Sequence, residues 1–116
     1  MLYKNENGTI VPMQERKCGT RLSANEFLAV CNLLQDIISQ KRYDRNGKPF
    51  MALDLVGRKQ IDWERNEALR NILVRYPNSQ KGQSSTLGRI LFDVLYHSPI
   101  DYIYDKPRNG HAAKYC

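Results

Sequence analysis

Only two side chains of this 116-residue chain titrate near neutrality in their free form, His97 and His111. A pair of histidines can act as acid and base in metal-independent phosphodiester cleavage, with Arg108 or Lys114 stabilising the charge on the phosphorane. A small metal-independent RNase is therefore one expectation. Against it, His97 closes an apolar helical run, where the last free carbonyls favour an imidazolium and a capping role. Glu15-Arg16-Lys17 spells the E-x-K triplet that metal-dependent nucleases place on a strand. No Asp precedes it and Glu6 is the only earlier carboxylate, so chance spacing explains it better than a two-carboxylate metal site. Cys18, Cys31 and Cys116 join the two histidines as the only soft ligands, without a C-x-x-C pair or a recurring ligand spacing. Cys31 falls on a helical apolar stripe and reads as core. Nucleophile elbows, phosphate-cradling glycine loops and G-x-G-x-x-G are all absent from the sequence. The expectation is a protein without catalytic residues, without a metal and without a cofactor.

What remains is charge. Eighteen Lys and Arg against twelve Asp and Glu give +6 and a pI near 9.4, which directs attention to anionic partners. The excess is local: residues 42–60 sum to +3, whereas 22–41 sum to −1 and 61–76 to zero. From Lys41 into that stretch, Lys41, Arg42, Arg45 and Lys48 alternate with Tyr43 and Phe50, and Arg58 and Lys59 follow. Cations interleaved with aromatic rings suit phosphate contacts combined with stacking. The expected nucleic-acid-binding set is Lys41, Arg42, Tyr43, Arg45, Lys48, Arg58 and Lys59, on a protein with an accessory or regulatory role. The competing view makes the segment a solvated turn, and the tyrosines at 96, 102, 104 and 115 then suggest a non-enzymatic inhibitor or adaptor that binds another protein.

Three amphipathic helices should position these residues. Ser23 and Glu26 form a capping box, Leu22 and Phe27 stand at hydrophobic-staple spacing, and Phe27, Val30, Cys31, Leu34, Ile37 and Ile38 continue one apolar stripe. The spacing predicts a helix over 24–41. A second helix, capped by Asp62, runs over 62–76 with Leu69, Ile72, Leu73 and Tyr76 on one face until Pro77. Residues 77–84 are polar turn formers and read as a loop; a third helix over 85–97 shows Leu87, Ile90, Leu91, Val94 and Leu95. Met51, Leu53 and Leu55 alternate with Ala52 and Asp54, which predicts a strand over 49–56. Asn7-Gly8 can close a hairpin between Leu2-Tyr3 and Ile10-Val11, a second Asn-Gly stands at 46–47, and 100–104 offers another short strand.

The expected fold is α+β and predominantly helical: three helices around one core, with a short β-hairpin or small sheet at the edge. One globular domain covers 1–106, and 107–116 reads as a flexible tail. The predicted core is Phe27, Val30, Leu34, Ile37, Ile38, Leu53, Leu69, Ile72, Leu73, Leu87, Ile90, Leu91 and Val94. A helix-turn-helix built from the second and third helices is disfavoured, because the 77–84 loop exceeds the motif's turn of about three or four residues. It would also leave mainly Thr86, Arg89 and Asp93 to meet a DNA groove. No run approaches the roughly 18 apolar residues of a membrane span, and the start of the chain has no secretory pattern, so the expected setting is a reducing cytoplasm without membrane contact.

Overall fold

The structure is a computed structural model that describes residues 1–45, 48–105 and 113–116, giving the backbone alone for 42–45. It has the expected α+β class. Strands β1 (Leu2–Glu6) and β2 (Thr9–Pro12) precede α1 (Ala24–Arg45), α2 (Ala52–Val56), α3 (Gln60–Glu64), α4 (Glu67–Arg75) and α5 (Gln80–Tyr96). Strands β3 (Tyr102–Asp105) and β4 (Lys114–Tyr115) close the chain. Among the described residues no helix is long and apolar enough to cross a membrane.

The hairpin forms where Asn7-Gly8 placed it. Both residues have positive φ, 54° and 87°, the pair of values that a two-residue hairpin turn requires. β1 then pairs in parallel with β3, Leu2 opposite Tyr102, in the sheet order β2-β1-β3-β4. A parallel pair needs a long crossover, and the whole helical layer provides it. The N-terminal ammonium donates to the carbonyls of Ser98 and Ile100, locking the start of β1 beneath the turn that leaves α5.

α1 begins on the expected capping box: Ser23 N–H donates to Glu26 Oε1 over 2.8 Å and Glu26 N–H to Ser23 Oγ over 3.2 Å. Glu26 also accepts from Arg75 at 3.0 Å, fastening the start of α1 to the end of α4.

Three elements differ from expectation. Residues 52–56 form α2 rather than the predicted 49–56 strand. Asp54 Oδ2 takes the Met51 N–H at 3.0 Å, and Gly57 at φ 93° ends the turn. Ala52 and Leu55, three apart, are then the buried pair. The helix expected over 62–76 is divided, because Asn66 turns its side chain back to accept the Leu69 N–H at 3.1 Å and starts α4 afresh. Asp62 does not cap it; α3 already starts at Gln60. Residues 80–84, predicted as loop, are the first turns of α5. Ser79 caps Gly82 N–H at 3.0 Å, and Gln83 Nε2 donates to the Tyr76 carbonyl at 2.9 Å.

α5 occupies the centre, against α1, α2 and α4. Every residue of the predicted core lies in the buried hydrophobic cluster or packs against that cluster. The predicted core leaves out Leu2, Phe50, Ala52, Leu55, Trp63, Phe92, Leu95, Tyr102 and Tyr115, which are buried as well. Of the expected tail 107–116, residues 113–116 are described: β4 pairs with β3, and Tyr115 exchanges backbone hydrogen bonds of 2.7 Å with Phe50.

Asn66→Ala should cost about 1 kcal/mol of stability, the usual worth of an N-cap, read as a lower urea midpoint with unchanged slope. An unchanged midpoint would mean that α4 starts without its cap.

Candidate nucleic-acid interface

Between β2 and α1 the chain crosses α5 as a strap, residues 13–23, running antiparallel to the helix. Its order follows from four contacts. Glu15 Oε1 lies 3.2 Å from His97 Nε2 at the C-terminal end of α5. The Arg16 guanidinium sits 4.5 Å from the centre of the Phe92 ring and 5.2 Å from that of Tyr104. Cys18 follows, its thiol raised by burial and by Asp93, with Arg89 opposing. Arg21 ends the crossing: its N–H donates to the Tyr76 hydroxyl at 2.9 Å and its guanidinium lies 4.9 Å from that ring's centre. Burial opposes ionisation of Tyr76, but hydrogen bonds from Thr86 and the Arg21 N–H, with the charges of Arg89 and Arg21, hold its phenol below the ordinary value.

Beside the strap lies a groove of about 420 Å³. Ser84, Ser85, Gly88 and Arg89 of α5 form its floor, Arg16 and Lys17 one wall, Ala52 and Leu53 of α2 the other, and Tyr104 and Tyr115 its end. Its described lining holds three cations and no carboxylate. Among the described residues Arg16, Lys17 and Arg89 form no ion pair; Arg89 donates instead to Thr86 Oγ1 at 3.1 Å. A second hollow, about 160 Å³, continues past Leu53 and Ser84 to Arg58, Gln60 and Gln83.

The sequence-predicted residues are dispersed. Arg58 lies in the second hollow and pairs with Asp54 at 3.1 Å. Lys59 is exposed just before α3, Lys48 is exposed between α1 and α2, and Lys41 is exposed near the end of α1. Arg42, Tyr43 and Arg45 belong to the last turns of α1, and their side chains lie outside the described residues, as does the Asn46-Gly47 turn. Arg16, Lys17 and Arg89 were not singled out together. No window of sequence joins positions separated by more than seventy residues.

Other sequence candidates resolve differently. The link from α4 to α5 is Tyr76–Ser79, four residues, so the length objection to a helix-turn-helix does not stand. Thr86 does not face outward but is fully buried, and the exposed residues of α5 are Gln80, Lys81, Ser84, Ser85 and Arg89. His111 and Arg108 lie outside the described residues, and Lys114 is exposed on β4. Glu15 and Lys17 sit on the strap rather than on a strand.

Glu15, Asp93 and His97 bring three potential ligand atoms within 4.8 Å of one another. The imidazole divides them: Nε2 faces Glu15, while Nδ1 meets the Asp93 carbonyl at 2.9 Å and its carboxylate at 3.6 Å. One ion cannot use both ring nitrogens toward both carboxylates, whereas an imidazolium bridges them directly. The Asp93 carbonyl does most to raise the His97 pKa above 6.5; desolvation opposes it, and the Asp93 and Glu15 charges with the Glu15 hydrogen bond add to the rise.

A raised folded-state value means that the clasp's contribution is complete below 6.5 and is lost as pH climbs through the higher folded value. Thermal unfolding of His97→Gln should therefore lose part of the decline in Tm that the parent shows between roughly pH 6 and pH 8. Parallel curves for the two proteins would remove His97 from the strap's anchorage. No protein-family model matches the chain, and neither does any curated protein or solved structure.

Proposed function

We propose that this is a small nucleic-acid-binding accessory protein that contacts phosphates through the groove beside the strap. The carrying observation is the trio Arg16, Lys17 and Arg89 around a hollow whose described lining has no carboxylate. Cations left without anionic partners in a concave, partly apolar site focus a positive potential, and a polyanion that enters releases its condensed counterions. Arg58, paired with Asp54, lines the adjoining hollow. Lys41, Lys48 and Lys59 add exposed positive charge elsewhere on the chain.

A second reading, binding of another protein as an inhibitor or adaptor, draws on the outer face of the sheet. Tyr3, Ile10 and Ile103 share that face by register, and Ile10 and Ile103 are 50% and 41% exposed.

Titration of a labelled oligonucleotide at two salt concentrations separates the two. Binding through Z phosphates makes log affinity fall with log salt at a slope of about −0.7Z to −0.9Z. Replacing Arg16 and Arg89 together by Ala should weaken affinity by about five- to tenfold per lost contact at 0.1 M salt, alike for unrelated sequences. The Arg42→Ala/Arg45→Ala double variant reports on the end of α1 in the same way. Unchanged affinity in the Arg16/Arg89 variant would exclude the groove, and no binding at low salt would leave the protein-binding reading.

A further inference from the structure

We infer that the groove takes a single strand of nucleic acid and not a duplex, a step that rests on the nucleic-acid reading above. The first reason is shape. A helix that reads duplex DNA must protrude, because its full diameter of about 10–12 Å enters a major groove about 12 Å wide. α5 cannot do so. It is packed against α1, α2 and α4, the strap crosses it, and its exposed Ser84, Ser85 and Arg89, with half-buried Gly88, are the floor of a recess between strap and α2, while Gln80 lines the second hollow and Lys81 alone of its exposed residues lies outside both. The four-residue link to α4 is right for a helix-turn-helix, but the helix it delivers is sunk rather than raised.

Continuity supplies the second reason. The two hollows share Leu53 and Ser84, giving a track from Arg58 at the corner of α2 and α3 to Lys17 and Arg16 at the strap. Neither has a carboxylate in its described lining. Beyond Arg16 the next hollow includes Asp105, which ends the anion-compatible path. A track of two joined hollows, with Arg16, Lys17 and Arg89 free of ion pairs among the described residues and Arg58 paired with Asp54 at the far end, fits an extended chain of several phosphates better than an isolated anion.

Third, the walls match what lies between phosphates. Arg16 is held between two rings set nearly perpendicular, Phe92 and Tyr104 at 82°, so its planar fork is already fixed before a ligand arrives. A prearranged guanidinium beside a tyrosine is a stacking platform for a base or sugar, and stacking tolerates any sequence. Gly88 is consistent with this. Glycine within a helix costs about 0.5–1 kcal/mol relative to Ala, yet a Cβ built there meets nothing within 4 Å. Packing does not require the glycine; a bare helix backbone lets a ligand come close.

The test uses the whole chain, fluorescence anisotropy, and three probes: 12-nucleotide dT, 12-nucleotide rU and a 12-base-pair duplex. Both strands should bind at least tenfold more tightly than the duplex. Gly88→Glu adds a carboxylate to the floor where space exists and should weaken strand binding more than tenfold with no fall in Tm. Leu28→Glu, on the exposed side of α1 at 57% exposure, makes the same change in net charge away from the groove and should leave affinity within twofold. Equal or tighter duplex binding that Gly88→Glu still reduces would overturn the single-strand inference while keeping nucleic-acid binding. Strand binding equally indifferent to Gly88→Glu and Leu28→Glu would overturn the groove as its site. Failure of all three probes to bind at low salt would overturn the nucleic-acid reading itself, and this inference with it.

Discussion

Burial of α5 is the constraint on which the rest of the molecule depends. Eight of its seventeen residues are buried, among them Leu87, Ile90, Leu91 and Leu95 at 1% exposure or less. A helix apolar over so much of its circumference needs cover on several sides at once. α1, α2 and α4 give three of them. The aromatic side chains near the sheet give another: Tyr104 meets Phe92 edge-on at 5.9 Å, and Tyr115 packs at 5.7 Å from Tyr104. The strap covers part of what is left, and the groove is the remainder.

Closure of the sheet follows from the same requirement. β3 and β4 carry Tyr102, Tyr104 and Tyr115, and the free edge that β4 leaves on β3 is taken by β1. The two ends of the protein are thus joined through Leu2 and Tyr102, both buried, and through the N-terminal ammonium. The long sequence separation of this pairing carries a loop-closure cost, recovered by the apolar area that the sheet covers.

Much of this was legible locally. The Ser23/Glu26 box, the Asn7-Gly8 turn and the apolar stripes of α1, α4 and α5 are short-range signals, and each has a physical reason that works within a few residues. The errors are also local in kind. Met51 to Val56 is an apolar run too short for periodicity to separate strand from helix, and the Asp54 carboxylate that captures the Met51 N–H decides it. Gln80 to Ser85 is polar, so no apolar period announces the start of α5. Its first turns are held by Ser79 and by a buried glutamine bonded to a carbonyl. Asn66 interrupts a good stripe because its side chain competes for a backbone donor.

The candidate site was not legible for a different reason. Charge counted in windows finds the +3 of residues 42–60, because those residues adjoin in sequence. The groove's cations come from the strap and from the middle of α5, and the strap has no helical or strand pattern that would mark it. Two contacts do most to place Arg16 beside the groove: its attraction to the faces of Phe92 and Tyr104, and the clasp that Glu15 makes with His97 one residue earlier. Both depend on where α5 ends, since Phe92 lies near its C-terminal end and His97 caps it. The same apolar burial that builds the core therefore sets the position of the exposed charges. A change that shifted the C-terminal end of α5 would move Arg16 relative to the floor without touching any residue of the groove.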